Sequence, residues 1–439
     1  MSLQTTPYLT LTLALSARAD HLAVVMSFVE TSAAVFGLGR PEQGKLLLAT
    51  EEIFMYLSGV VCPGKDLEVR LVNGLYYVCA EFRFASPELD LGGLNITSTI
   101  SYDGEADLQQ MGLLIASRSV DRLSLSVERQ RVALAVTKEK VYPRSTETLP
   151  SPEAGEGTAV ETPDRERLKR FAVLARQALP DPDRPSFLDY PGKLVDMAAA
   201  GDCQVLTAFG EKKDIVGGIL FGHRTEKTVW CCGPYVFSRT RQAETAAALL
   251  AACIAKIART KALGLLSLSG LPEGLRADFE PLGSLTFRPA EGPPVARPFF
   301  YRHLHEDPVC EVWTHAELAD HLRREYDRLV LAREIRLLTD MGEARSGRSL
   351  FSAEVNGERS EVVLRPELPG ADYAANVERH VRFLRGDRYR NLLFELDLGV
   401  PWHAELVPAL LHNGFHPAIL LPFAGHSDLV IFEAHETEP

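Results

Sequence analysis

The sequence predicts an α/β protein made of α+β sandwiches: a helix-backed sheet before residue 143, then a mixed sheet with helices on both faces. Three observations predict it. Short runs such as LEVRLV and VALAVTKE alternate apolar and polar residues, the period of a half-buried strand. Longer stretches between them repeat their apolar residues at helical spacing. The segment 144–164, RSTETLPSPEAGEGTAVETPD, is rich in Pro, Glu, Thr, Ser and Gly and has no apolar periodicity, so it reads as a flexible linker. A chain of 439 residues exceeds one ordinary core, and about two to three domains are expected. The expected division is 1–143, the linker 144–164, 165–307, and 308–439 as a second half-domain or the completion of the third unit.

The first unit opens with an apolar alternation read as a strand rather than a signal peptide, because no basic region precedes it. A helix is expected from Asp20 to Phe36, with Leu22, Val25, Val29 and Phe36 on one face. A second begins near Pro41, a favoured first-turn residue, and carries Leu46, Leu47, Ile53, Phe54 and Leu57 inward. LEVRLV and LYYVCAEFRF flank Asn73-Gly74, which predicts a hairpin closed by a two-residue type I′ turn. A short helix over 107–119 and a second hairpin, turning at 128–131, close the unit.

This order, with Thr50-Glu51-Glu52 on the second helix, resembles the GHKL (Bergerat) ATPase fold, nearest to the serine-kinase anti-sigma factors. In that family an acid on the second helix is followed four residues later by a Mg²⁺-binding Asn. Glu52 matches the acid and is the catalytic candidate, but Tyr56 stands at the Asn position and Val60 at the following His. The Asp and Gly-x-Gly of the family are replaced by Glu81-Phe82-Arg83-Phe84-Ala85. Of the last glycine-rich motif only Gly112 remains, the nucleotide-binding candidate. The resemblance implies a binding or scaffolding module whose ATP and Mg²⁺ chemistry is eroded.

After the linker, helices are expected over 165–179 and 192–200, then strands QVLTAF, DIVGGILFGH and TVWCCGPYVF, an Ala-rich helix over 241–260 and the strand LLSLSG. WTHAELADHLRREYDRLVL reads as an amphipathic helix. SLFSAEV and EVVLRPEL, a helix DYAANVERHVRFLRG, the strand NLLFELDL, a helix AELVPALLHNG and two strands complete the chain. The order over 371–432 echoes 241–287.

The run from PSFLDYPGKLV to LLSLSG resembles the GNAT acyltransferase fold, whose turn into the helix after the fourth strand binds the pyrophosphate of acyl-CoA. Arg241, Gln242 and Ala246 match that turn and are the acetyl-CoA candidates, while Glu244 stands where the family has glycine. Tyr235 and Tyr301 are candidates for the general acid.

Other groupings are weighed by chemistry. His412 and His416 are four apart, but Gly414 between them ends the helix; with His403 and His426 they read as loop or surface residues, and no metal is assigned. His303 and His305 alternate on one face of an expected strand. Arg323, Arg324, Arg328, Arg333 and Arg336 suggest a basic helical face. Seven cysteines at 62, 79, 203, 231, 232, 253 and 310 form no CxxC pair and read as buried thiols of a cytoplasmic protein. The net charge of −12 argues against a protein that grips nucleic-acid backbones. No stretch approaches the roughly 20 apolar residues of a membrane helix. The leading expectation is a regulatory protein whose first unit recognises a partner, a sigma factor or its antagonist. The alternatives are an active N-acetyltransferase using acetyl-CoA, with the first unit as sensor, and a divergent serine kinase using Glu52.

Overall fold

The computed structural model describes residues 9–61, 66–85, 90–98, 105–128, 131–152, 159–179, 184–338 and 347–434. The first sheet contains β1 (Leu9–Ser16), β2 (Asp66–Asn73), β3 (Tyr77–Ala85), β4 (Arg122–Glu128) and β5 (Arg131–Glu139), antiparallel in the order β1-β2-β3-β5-β4. Alternation sends Leu67, Val69 and Leu71, Val78, Ala80 and Phe82, and Val132, Leu134 and Val136 to one buried face. That face meets α1 (Leu22–Val35), α2 (Arg40–Val60) and α3 (Glu105–Ser119) through Val25, Val29, Ile53, Phe54, Leu57 and Leu113. Each large side chain buried here contributes roughly 1.5–3 kcal/mol.

The hairpin between β2 and β3 forms, but not on a two-residue turn. Asn73 pairs with Val78, the strands are separated by Gly74–Tyr76, and Leu75 takes the positive φ of 65°. The Asn73 side chain accepts from the Leu75 N–H at 3.0 Å, which stabilises this wider turn. Gly74 is required by contact rather than by φ: a Cβ there would lie 2.1 Å from the Tyr77 ring.

The segment expected to be a free spacer is tied down at both described ends. Ser145 N–H donates to Asp189 O at 2.9 Å, and Gln177 exchanges two hydrogen bonds with the Leu149 backbone. Ala159–Glu161 form β6, an edge strand beside β7 (Gln204–Phe209). Polar composition removed the burial signal, but backbone groups still found partners.

Beyond it lie α4 (Arg165–Ala178), α5 (Pro191–Ala200), β8 (Ile215–His223), β9 (Thr228–Val236), α6 (Gln242–Ile257), β10 (Gly264–Ser269), β11 (Glu280–Phe287) and β12 (Val295–His303). With β6 and β7 the strands form a seven-stranded sheet in the order β11-β12-β10-β9-β8-β7-β6. All neighbours are antiparallel except β9 and β10, which the α6 crossover makes parallel. Along β9, Val229 and Cys231 face α6, while Cys232 and Tyr235 face α4 and α5. Helices therefore cover both sheet faces, as the mixed-sheet reading requires.

The chain continues through β13 (Cys310–Thr314), α7 (Ala316–Leu329) and β14 (Arg333–Leu337), a parallel pair. The helix expected from Trp313 onward therefore begins later, and Arg333 and Arg336 belong to a strand. The basic helical face is corrected accordingly. On α7, Arg323 pairs with Asp320 and Arg328 with Glu325, while Arg333 is wholly buried.

Finally β15 (Leu350–Asn356), β16 (Glu361–Leu368), α8 (Tyr373–Gly386), β17 (Asn391–Asp397), α9 (Leu406–His412), β18 (Phe415–Leu421) and β19 (Leu429–Ala434) build a sheet in the order β15-β16-β17-β19-β18. Strand order and senses repeat those of β8-β9-β10-β12-β11, which gives the echo seen in the sequence a structural basis. One apolar cluster joins the two sheets, from Leu266, Leu285 and Tyr301 to Phe394, Ile419 and Phe432. His303 ends β12 and His305 lies beyond it, so they do not share a strand face. His412 ends α9, Gly414 turns at φ 82°, and His416 falls on β18.

Candidate functional site

The parallel pair β9 and β10 runs in register from Thr228 opposite Gly264 to Cys231 opposite Ser267, then slips so that Cys232 faces Ser269. Past the slip the pairing ends, because β10 stops at Ser269 while β9 runs on to Val236; this is their point of divergence. Gly270, at φ 72°, lets the Tyr235 ring approach: a Cβ there would lie 2.4 Å from its Cε1. The Tyr235 hydroxyl meets Ser269 Oγ at 3.3 Å.

Beside this divergence is a cavity of about 350 Å³. Phe187, Trp230, Cys232 and Leu268 supply its apolar wall and Ser269 a hydroxyl. Four arginines complete it, each from a different connection or strand. Arg184, from the link between α4 and α5, pairs with the buried Asp189 at 3.0 Å. Arg224, on the β8–β9 turn, pairs with Glu395 at 2.9 Å. Arg297, on β12, pairs with Glu361 at 3.2 Å, and its buried Nε has no hydrogen-bond partner. Arg359, on the β15–β16 turn, donates to the Arg184 carbonyl. The acids paired with Arg184, Arg224 and Arg297 are not among the lining residues, and the described wall carries no carboxylate.

Burial sets the protonation states here. It pushes the Cys232 thiol up to about 11 and the Tyr235 hydroxyl well above its ordinary value. Both stay neutral at pH 7, so Cys232 is not a thiolate nucleophile. Burial also raises the Cys203 and Cys253 thiols, each to about 12, and Cys231 well above the ordinary thiol value. Native protein treated with iodoacetamide at pH 7.5 is therefore expected to carry no label at these four positions. Mass mapping of the digested protein checks this; rapid labelling of Cys232 would show an open, ionised thiol.

Arg241 and Gln242 stand at the start of α6. Arg241 is the N-cap residue at φ 52°, and its Nε donates to Glu244, which turns that carboxylate into a local ion pair. Gln242 closes the turn by donating to Ser238 O at 3.1 Å. Ala246 lies inside the helix–sheet packing, away from the turn. Tyr235 comes to the divergence, whereas Tyr301 is buried in the cluster joining the two sheets. The cavity arginines escaped the sequence reading because isolated arginines far apart in the chain carry no local signal.

In the first unit, Glu52 and Gly112 do meet: a Cβ on Gly112 would lie 2.2 Å from Glu52 Oε2. Burial, and secondarily Glu51, raises the Glu52 carboxyl above its ordinary value. Tyr56 donates to Asp90 O at 2.6 Å and accepts from the Asp90 N–H at 3.2 Å, and burial pushes its hydroxyl up to about 12. Tyr56 thus anchors a backbone segment. Glu81 pairs with Arg70 at 3.1 Å, and Phe82 is in the core.

No protein-family model matches the chain, and no curated protein matches it. Solved structures do. A phosphinothricin acetyltransferase of the GNAT superfamily from Sinorhizobium meliloti, in complex with AcCoA, is 16% identical, with 34% of this chain and 89% of that chain covered and a TM-score of 0.28. An N-acetyltransferase from Staphylococcus aureus Mu50 is 14% identical over 34% of this chain and 100% of its own, at a TM-score of 0.30. An aminoglycoside 6'-N-acetyltransferase complexed with coenzyme A is 11% identical over 34% and 99%, at 0.27. No helix among the described residues is long and apolar enough to cross a membrane.

Proposed function

We propose that residues 159–303 form an acyl-CoA-dependent acyltransferase unit of the GNAT type, with the cavity beside β9 and β10 receiving the acceptor. One observation carries this reading: the single parallel pair of the seven-stranded sheet loses register at Cys232 and Ser269, and α6 opens just beyond the end of β9. A helix N-terminus offers unpaired N–H groups and a favourable dipole to a pyrophosphate. Arg241 adds a cation if its pair with Glu244 opens.

In such a transfer the acyl carbon forms a bond to an acceptor nitrogen and breaks its bond to the thioester sulfur, while the nitrogen loses a proton and the sulfur gains one. Tyr235 holds its proton at neutral pH and is hydrogen-bonded to Ser269, a wall residue, so the pair is placed to donate toward the divergence. The described wall offers no carboxylate base, so the acceptor nitrogen delivers its proton to water.

The test is a melting curve of the full chain with acetyl-CoA. Ligand at about one hundred times Kd stabilises the folded state by about 2.7 kcal/mol, a rise of several degrees. Arg241→Glu puts a second carboxylate at the turn and is expected to weaken binding about tenfold, or about 1.4 kcal/mol. No shift at millimolar acetyl-CoA would refute the proposal.

A second reading concerns residues 9–139, which we propose act as a partner-recognising, regulatory module; a sigma factor or its antagonist fits the resemblance. Tyr56 favours it, because its hydroxyl is spent on the Asp90 backbone. ATP turnover that is lost in Glu52→Ala would reverse this reading in favour of the kinase.

A further inference from the structure

From the cavity wall we infer that the acceptor is a small amphipathic oxyanion, with its carboxylate or phosphate held among Arg184, Arg224, Arg297 and Arg359 and its apolar body against Trp230 and Leu268. The inference rests on the acyltransferase reading for the word acceptor, but the ligand class follows from the wall alone.

Three observations support it. The described wall has four guanidinium groups and no carboxylate; three of the four are paired with acids outside the wall, so what the wall itself presents is N–H donors, which suit a ligand that accepts. Guanidinium forks suit carboxylate and phosphate, which accept two parallel N–H bonds. Arg184 and Arg224 also donate to the Leu179 and Ala424 carbonyls, but Arg297 keeps a buried Nε without a partner, a group that costs free energy until a ligand or water accepts from it. The rest of the wall is largely aromatic and aliphatic, and a bare inorganic ion would leave it without contact. A cavity of about 350 Å³ lies within the size range of small-molecule sites.

The arginines converge from both sheets. Arg184, Arg224 and Arg297 belong to the seven-stranded unit, and Arg359 to the turn between β15 and β16. The ligand site is therefore completed by the second sheet.

The experiment uses the full chain without acetyl-CoA and four probes: 3-phenylpropionate, phenyl phosphate, 3-phenylpropanol and inorganic phosphate. Tryptophan fluorescence reports through Trp230, and melting temperature gives an independent readout. At least one aromatic anion is expected to bind tenfold or more tighter than the alcohol and than inorganic phosphate. The tighter of the two anions identifies the head group. Arg297→Met is expected to weaken that anion about tenfold and Arg297→Lys less; if Arg297→Met does not fold, the wild-type probe series decides. Equal binding of the alcohol, or of inorganic phosphate, overturns the inference. Anion preference with no acetyl-CoA binding would remove the acyltransferase reading and leave the ligand class standing; acetyl-CoA binding without anion preference would do the reverse.

Discussion

Arg333→Met is expected to destabilise the protein by about 3–5 kcal/mol, the loss seen when one partner of a buried ion pair is removed. Arg333 and Asp428 have fully buried side chains. The guanidinium donates through Nε to Asp428 Oδ2 at 2.6 Å, through Nη2 to Asp428 Oδ1 at 3.3 Å and through Nη1 to Asp307 Oδ2 at 2.6 Å. It also lies 4.5 Å from the centroid of the Phe423 ring. Methionine replaces the hydrophobic stem but leaves two carboxylates without their cation. Those acids hold β14, the chain after β12 and the connection between β18 and β19, where Asp428 also accepts from the Phe423 N–H at 2.8 Å. Urea unfolding followed by fluorescence measures the loss. A change below about 1 kcal/mol, the worth of a surface pair, would mean that water reaches the acids.

Lowering the pH from 7 to 4 is expected to remove about 3 kcal/mol for each of two buried histidines. Burial is the largest cause at both His380 and His403 and depresses each to about 4, from an ordinary 6.5. A folded value below the unfolded one means that the unfolded chain takes up protons first. Stability is therefore intact above about 6.5 and falls as the pH drops toward 4. A shift of about 2.5 units at about 1.4 kcal/mol per unit sets the size. His380, on α8, donates through Nδ1 to Asn376 O at 2.9 Å, faces Thr97 at 3.5 Å, and has Arg379 and Asp372 as its nearest charges. His403 accepts from the Asp397 N–H at 3.2 Å beside the Asp397 carboxylate and His426. Unfolding free energies measured at intervals between pH 7 and 4 give the slope, and replacing both histidines by Gln should flatten it. An unchanged slope in the double variant would place the acid sensitivity elsewhere.

The pH response also marks where the first unit is anchored. Asn95 donates to Ser349 O at 2.8 Å and accepts from the Phe351 N–H at 2.9 Å, while Asn376 donates to it at 3.2 Å. These bonds and the Thr97–His380 contact hold the 90–98 segment against the start of β15 and against α8. Protonating His380 puts charge into that junction.

Legibility followed the range of the interactions. α8 matched its expected span because its apolar positions and charged face are written in consecutive residues. β7 and β16 were readable from their own composition. The Asn73-Gly74 turn was half legible: its position held, but it is wider than two residues and closed by the Asn73 side chain on the Leu75 N–H. β13 and β14 were missed because each is short and their parallel pairing depends on the α7 crossover. Near the candidate site, Arg241 and Gln242 were singled out by their match to a family turn and Tyr235 by lying near an expected strand, while the four cavity arginines were not legible.

Residue order alone determined the alternation of strands and helices, the helix-backed first sheet and the mixed second one, since local periodicity decides which face of each element is apolar. Tertiary structure alone decided that Arg333 is buried, that Glu395 serves both Arg224 and Arg365, and that arginines from positions 184, 224, 297 and 359 share one cavity. Burial and charge pairing depend on distances between segments far apart in the chain, and those distances exist only after the sheets have packed.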